Sequence, residues 1–197
     1  MENKKEKIAD FKTAISSTVR SLSNSEKIEV SFGNDSSKSD ANSIRLPELS
    51  PVKNKFNYNQ IRAVADSKSL RHRFSNLKTF KQYEPEGNIS KQLYRISEKI
   101  RCEKIGTSYF KGVKNNIETF YQERISGLDL KSSEDKIIES FENYFRTKFL
   151  NFESNTQIDK KLKSYKKDLN EKFKDKINQL NDFTLDQEKF NSLISEL

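Results

Sequence analysis

The sequence is poor in the residues that most often build catalytic and metal centres, with one cysteine and one histidine among 197 residues. The single cysteine, Cys102, excludes an internal disulfide framework and fits a reducing compartment. A lone His72 and a lone Cys102 cannot form a zinc site, and neither has a visible catalytic partner in the sequence. We therefore expect no metal site in this chain.

Long apolar runs are also missing. No stretch approaches the roughly 18 apolar residues of a membrane-spanning helix, and residues 1–7 lack the apolar segment of a signal peptide. We therefore expect a cytoplasmic protein without a membrane partner. Tryptophan is absent too, so the bulk of the core must come from fourteen Phe and seven Tyr.

Charge, in contrast, is abundant and unevenly distributed. Charged residues make up 34% of the chain and hydrophobic residues 32%, so the core must come from amphipathic elements. The net charge is +8, but residues 53–114 carry fifteen Lys and Arg against five Asp and Glu, a net of +10, which leaves −2 elsewhere. A basic middle of this kind suits a solvated surface, an acidic partner surface or anionic ligand, or nucleic acid.

The spacing of apolar residues predicts a mainly α-helical chain. Residues 4–22 repeat apolar side chains every three or four positions, and further helices are predicted over 89–106, 113–127 and 137–149. Alternation predicts a short strand at 28–32 and a second at 43–47, with a mobile loop at 33–43. The expected fold is a multi-helix bundle with a short β-strand or hairpin near residues 28–47.

The spacing of apolar residues predicts one long helix over residues 57–81, in which the apolar side chains move from one face of the helix to the opposite face. At about 100° per residue, Ile61 and Val64 point one way, whereas Leu70, Phe74 and Leu77 point nearly opposite. The pattern indicates a helix that is buried on two sides or broken near residues 67–69.

The C-terminal part is predicted as a separate segment. We expect a helical domain over residues 1–155 and amphipathic helices over 156–197 that pack on this domain or form an arm. Apolar spacing predicts one long helix from Ile158 to Leu180, and Thr184 with Gln187 resembles a capping box for a last helix.

Two predicted helical segments, 62–71 and 98–106, contain charged residues, and at least one of these residues lies on an apolar face that should be buried. Glu103 falls on the same stripe as Leu93 and Ile100, and an unpaired buried carboxylate is costly, so Arg62 or Arg71 should pair with it. Glu98 and Arg101 are helical neighbours on another face. The predicted interface or structural network comprises Arg62, Asp66, Ser67, Arg71, Glu98, Arg101 and Glu103.

No motif for nucleotide binding or catalysis is present in the sequence. Gly106 and Gly112 precede Lys114, but the spacing is one residue too long and Val113 interrupts the Gly–Lys pair of a phosphate-binding loop. We therefore expect that the chain does not bind ATP by itself and holds no catalytic centre of its own.

Several short motifs, taken in order, carry a resemblance to a known family. They are Phe11-Lys12, Val30–Phe32, Arg45–Pro47, Arg62–Arg71, Pro85–Gly87, Glu98–Gly106 and Gly112–Asn116, with looser matches at 146–150 and 180–182. Together they resemble the N-terminal domain of the T subunit of aerobic cobaltochelatase, CobT, without the C-terminal von Willebrand A-like domain of family members. Outside the charged network, the positions that match the family pattern are Arg45, Pro47, Glu86, Gly87, Gly106, Gly112 and Asn116.

The resemblance implies a function. The family contributes a non-catalytic adaptor subunit to an ATP-dependent cobaltochelatase, a ligase-class enzyme that inserts cobalt into the corrin ring during cobalamin biosynthesis. The adaptor is implied to dock on an AAA+ ATPase subunit, within a complex that also contains a large corrinoid-binding chelatase subunit. The complex uses ATP, Mg²⁺ and Co²⁺, and the resemblance implies that this chain binds none of them.

Two alternatives stay open. Tyr83, Tyr94, Tyr109 and Phe110 interleave with the basic residues, as in a basic helical nucleic-acid-binding protein, although most other aromatics lie at core spacing. Direct corrinoid binding, through Arg or Lys pairing with peripheral carboxylates, is the second alternative.

Overall fold

A computed structural model describes residues 2–33, 42–52, 55–154 and 156–197. Most of the predicted mobile loop at 33–43 lies outside these ranges. The helices are α1 (Glu2–Ser23), α2 (Tyr58–Phe74), α3 (Leu77–Gln82), α4 (Asn88–Tyr109), α5 (Lys111–Ser126), α6 (Ser133–Lys148), α7 (Thr156–Lys161), α8 (Lys163–Phe173), α9 (Lys176–Asp182) and α10 (Gln187–Ser195). The prediction of a mainly α-helical chain is confirmed.

In the part of the chain that the structure describes, four short strands form two small sheets. Strand β1 (Glu29–Phe32) pairs with β2 (Ser43–Leu46), and the two run parallel, with Val30 opposite Ile44. The second sheet pairs β3 (Pro51–Val52) with β4 (Lys55–Phe56) in an antiparallel arrangement. The two strands predicted near 28–47 are present, but their parallel pairing means that they are not a hairpin.

Helices α1 and α2 also run parallel to each other. The ring of Phe11, near the middle of α1, meets the ring of Tyr58, the first residue of α2, edge to face with centroids 4.6 Å apart. Near the C-terminal ends of both helices, the Arg73 guanidinium donates to the carbonyl of Leu22 over 3.4 Å. The small β1–β2 sheet lies in the connection that brings the chain back to start α2 beside the middle of α1.

The buried apolar side chains of the described residues form two clusters, and both clusters include residues of α1 and α2. The smaller cluster includes Ile15 and Val19 of α1 and Ile61 of α2, together with side chains from β1 and β2. The larger one includes Leu22 and Leu70, and it extends through α4, α5, α6 and the C-terminal helices. Helix α2 is therefore unbroken at residues 67–69 and buried on two sides, which explains the change of face in its sequence.

The predicted long helix over 57–81 is wrong in its length. Helix α2 ends at Phe74 because Ser75 adopts an extended backbone conformation, with φ −113° and ψ 118°. Asn76 then starts α3 by accepting hydrogen bonds from the backbone N–H groups of Lys78 and Thr79. Leu77, predicted to extend the apolar face, is 57% exposed.

The C-terminal region forms three helices in place of the predicted long one. Leu162 departs from helical dihedral angles between α7 and α8, and turn residues 174–175 separate α8 from α9, although the backbone of Lys174 and Asp175 stays in the right-handed helical region. Apolar side chains of all three helices, among them Ile158, Phe173 and Leu180, lie in the larger cluster. The division at residue 155 stays a prediction.

The capping box assigned to Thr184 and Gln187 is wrong. Asp186 is the N-cap of α10, and its carboxylate accepts from the backbone N–H of Lys189 over 3.1 Å. Within the described ranges, no helix is both long enough and apolar enough to span a membrane.

Candidate functional site

Three charged side chains of α4 are buried in the protein interior. Glu98, Arg101 and Glu103 are each at most 1% exposed. Glu98 and Arg101 lie one turn apart and form a bidentate ion pair in which two guanidinium nitrogens lie 2.8 Å from the two carboxylate oxygens. A pair at this depth is stable only when its remaining donors and acceptors also find partners.

The remaining donors of Arg101 join three parts of the chain. Its Nη1 donates to the carbonyl of Thr184 over 2.9 Å, and its Nη2 donates to the carbonyl of Phe74 over 2.6 Å. Burial lowers the pKa of Arg101, but the hydrogen bonds to Glu98 and the neighbouring charges together outweigh it and raise that pKa above its ordinary value. Arg101 therefore fixes α4 to the end of α2 and to the turn before α10.

Glu103 is the buried carboxylate that the sequence places on an apolar stripe, and its cation is Arg146 of α6. Ser67 Oγ donates to one carboxylate oxygen over 2.6 Å, and Arg146 Nη1 donates to the other over 2.8 Å. The expectation that Arg62 or Arg71 pairs with Glu103 is wrong, because neither makes this contact within the described residues. The link therefore joins α2, α4 and α6.

Arg146 continues into a wider ionic network on α5 and α6. It binds Glu142, which also accepts from Lys99 over 3.1 Å and from Arg124 over 3.0 Å. Arg124 in turn pairs with Glu139 through two hydrogen bonds. Burial opposes the charge of Glu142, but Lys99, Arg146 and Arg124 outweigh it and hold the pKa of that carboxyl well below its ordinary value.

Asp66 of the predicted network lies apart from these ion pairs. It is 3% exposed, and its carboxylate accepts from the side-chain amide of Asn116 on α5 over 2.8 Å. Burial raises the pKa of Asp66 from 3.8 to about 6, against the hydrogen bond from Asn116 and the charge of Arg62. The pair fixes α2 to α5, and it assigns a contact to the family-pattern residue Asn116.

The two arginines expected in the Glu103 network instead lie over aromatic rings. The guanidinium of Arg62 is 5.6 Å from the ring centre of Phe11, and that of Arg71 is 5.0 Å from the ring centre of Phe80. Arg62 thus lies at the α1–α2 contact, and Arg71 lies where α2 faces α3.

Two family-pattern glycines have a structural reason. A Cβ atom at Gly106 would lie 2.3 Å from the side chain of Leu70, so this glycine permits the close approach of α4 and α2. Gly87 has a φ of +89°, a left-handed conformation that favours glycine, and it precedes the first residue of α4.

The other family-pattern positions are closer to the surface. Arg45 is on β2, where its Nε donates to Ser31 over 3.4 Å and its carbonyl accepts from Lys68 over 2.7 Å. Pro47 follows that strand and Glu86 is exposed in the turn before α4. Gly112 has open space beside its Cα, and nothing in the structure explains why this position is a glycine.

Sequence reasoning missed the α5–α6 half of the network. On α6, Glu142 and Arg146 are one turn apart and border the stripe formed by Phe141, Phe145 and Phe149. The position of these two residues beside an aromatic stripe is the sequence signal for their burial. Their four-residue spacing alone fits an exposed helical ion pair equally well.

A basic cleft opens above this network. It has a volume of about 380 Å³ and is formed by side chains of α2, α4, α5 and α6. Five cations line it, against the two acids Glu103 and Glu142. The cations are Lys68, Arg71, Lys99, Arg124 and Arg146.

A second concavity lies where α2 and α4 end and α10 approaches. It has a volume of about 430 Å³ and includes Arg73, Tyr109, Leu185 and Gln187 in its lining. Tyr109 is 67% exposed and Leu185 is 77% exposed, and both rank among the few large apolar side chains that face solvent in the described chain. We call it the Tyr109–Leu185 concavity.

The described residues contain no group of three or more His, Cys, Asp or Glu arranged to hold a metal ion. Cys102 is fully buried, and burial together with nearby Glu98 raises the pKa of its thiol well above the ordinary value. Its thiol is therefore unreactive as a nucleophile in the folded protein.

The chain was compared with families of known proteins. Residues 5–197 match the family described as "Cobalamin biosynthesis protein CobT". The match includes all the buried charges described above. No solved structure matches the chain.

Proposed function

The chain belongs to the CobT family of cobalamin biosynthesis proteins, and from that premise we propose that it is a non-catalytic adaptor subunit of an ATP-dependent cobaltochelatase. Its role is to dock on the AAA+ ATPase subunit, in a complex whose large subunit holds the corrinoid. ATP, Mg²⁺ and the substrate Co²⁺ are handled by the complex, and this chain supplies a rigid docking surface.

One observation carries the proposal: the basic middle of the chain buries its acids and exposes its cations. Of the five acidic residues in 53–114, Asp66, Glu98 and Glu103 are buried. Of the thirteen Lys and Arg in 57–114, Arg101 alone is buried. The surface of this segment is therefore more positive than its composition suggests, which suits an acidic protein partner.

The Tyr109–Leu185 concavity is the part of this surface best suited to docking. Protein interfaces are enriched in exposed aromatic and arginine side chains surrounded by a polar rim. Here Tyr109 and Leu185 supply the apolar contacts, while Arg73 supplies positive charge. The Arg101 hydrogen bonds to Phe74 and Thr184 hold the walls of the concavity in place.

The row of aromatics that suggested nucleic-acid binding does not form a stacking surface. Tyr94 is 1% exposed, and its hydroxyl donates to the carbonyl of Phe80. Tyr83 and Phe110 are half-buried, which leaves Tyr109 as the one exposed member of the four. Base stacking along a strand needs several exposed rings.

The test is co-elution with the AAA+ ATPase subunit on size-exclusion chromatography. We expect the unmodified chain to co-elute, and we expect Arg73→Glu and Leu185→Asp each to abolish co-elution, because one reverses the rim charge and the other places a carboxylate in the apolar contact. Lys174→Glu is the matched control, because it reverses an exposed charge near the end of α8.

Two results argue against the proposal. The first is an unmodified chain that elutes alone at micromolar concentrations of both proteins. The second is equal loss of co-elution with Lys174→Glu, which would show that overall charge and not this surface determines association.

A further inference from the structure

The basic cleft has more positive charge than its own structure uses. Both acids that line it are already bound: Glu103 by Ser67 and Arg146, and Glu142 by Arg146, Lys99 and Arg124. Arg124 uses Glu139, outside the lining, as a further partner. The carboxylates of Glu103, Glu139 and Glu142 thus balance the charges of three of the five cations, which are Lys99, Arg124 and Arg146.

Lys68 and Arg71 are the two cations left over. Among the described residues, neither forms an ion pair with a carboxylate. The Lys68 ammonium donates to the backbone carbonyl of Arg45, and the Arg71 guanidinium lies over the ring of Phe80. Burial and the nearby charge of Arg45 both disfavour the charged form of Lys68 and lower its pKa.

Most of the uncharged lining is apolar. Val64 of α2 and Ile117 and Phe120 of α5 face the same cavity as the cations. Concave sites that combine an apolar lining with a few convergent charged groups are typical of small-molecule sites. The volume of about 380 Å³ lies within the range of such sites.

We propose that the basic cleft binds a small organic dianion, one with an apolar body and carboxylate or phosphate groups that pair with Lys68 and Arg71. The network beneath it keeps the cleft open, because Arg146 and Glu103 fix α6 to α4 and Ser67 fixes α2 to the same carboxylate. The floor is held by ion pairs that are already satisfied, so a ligand needs only to neutralise the two cations at the α2 wall.

This site is separate from the docking surface proposed above. Arg71 and Arg73 are two positions apart on α2, so their side chains point about 200° apart around the helix axis. Failure of docking therefore leaves the cleft proposal intact, and the reverse also holds.

The test uses two probes and one neutral comparison on the full chain. Phenyl phosphate and isophthalate each carry an aromatic ring with two negative charges, whereas benzamide carries the ring without charge. Binding is followed by amide chemical shifts in ¹H–¹⁵N NMR spectra, in which residues 64–71 and 117–124 report on the cleft. We expect saturable shifts there with at least one dianion and none with benzamide. Which dianion binds more tightly distinguishes a phosphate ligand from a carboxylate ligand.

Charge-removing variants assign the contacts. Lys68→Gln and Arg71→Gln should each weaken binding at least about tenfold, and Lys174→Gln should leave it unchanged. Lys68 is exposed and Arg71 is half-buried, so the variants should fold, which far-UV circular dichroism verifies. A rise in the pKa of the Lys68 ammonium on ligand addition, measured by ¹⁵N NMR of the side chain, provides an independent measurement.

The proposal is overturned if neither dianion shifts these amides, if benzamide shifts them equally, or if the double variant Lys68→Gln/Arg71→Gln binds as the unmodified chain does. Loss of binding at low ionic strength with Lys174→Gln would also overturn it, because it would indicate attraction by the whole protein.

Discussion

Replacing Asp66 by Asn should stabilise the protein at neutral pH, and this stabilisation should disappear at acidic pH. Asp66 is 3% exposed, and burial raises its pKa from 3.8 to about 6. Between those two pH values, the folded protein holds a proton on this group that the unfolded chain has released. The free energy of unfolding therefore falls as pH rises from about 4 to 6, and the loss persists above pH 6.

The size of the effect follows from the shift. A change of about two pH units corresponds to about 3 kcal/mol, so Asp66→Asn should raise the free energy of unfolding at pH 8 by up to about 3 kcal/mol. At roughly 2–4 °C per kcal/mol for a chain of this size, the melting temperature should rise by about 6–12 °C. The Asn side chain keeps an acceptor for the Asn116 amide, so the contact between α2 and α5 survives.

The assay is urea denaturation of both proteins at pH 4.5 and pH 8, together with a carboxyl ¹³C NMR titration of Asp66. Asp168→Asn, which removes an exposed carboxylate on α8, is the control. It should change the free energy of unfolding by no more than about 0.5 kcal/mol at either pH. The reasoning is refuted if Asp66→Asn destabilises the protein at pH 8, or if its effect is the same at both pH values.

Three further changes test the packing by denaturation. Arg101→Leu should cost about 3–5 kcal/mol because it leaves Glu98 buried without its cation, and Glu98→Leu in the same chain should recover part of the loss. Gly106→Ala should cost about 1–3 kcal/mol, since the new methyl group meets Leu70; an unchanged midpoint would contradict the close approach of α2 and α4. Ser132→Ala should cost about 1 kcal/mol by removing the capping box of α6, and no loss would mean that other contacts determine where this helix starts.

The helical fold was accessible from the sequence because apolar residues recur with the period of a helix. The positions of the breaks were not accessible. Phe74 and Leu77 keep helical spacing across the gap between α2 and α3, and the same holds on both sides of Leu162. Periodicity records which side chains face the core, and it does not record where the backbone turns between them.

The buried charge on α4 was likewise predictable, whereas its partner was not. Glu103 shares a stripe with apolar residues of its own helix, and that arrangement is local. Arg146 lies 43 residues further along the chain, and the packing of α6 against α4 brings the two together. Arg62 and Arg71, chosen because they lie on the preceding helix, point to aromatic rings in place of the carboxylate.

The parallel arrangement of α1 and α2 has a consequence for the protein while it is being made. The apolar stripe of α1 finds its cover on α2, and α2 begins 35 residues after α1 ends. At typical synthesis rates of about 5–20 residues per second, the last residue of α2 follows that of α1 by roughly 2–10 s. During this interval α1 must remain soluble on its own, and its eight charged residues among twenty-two give it that solubility before its partner exists.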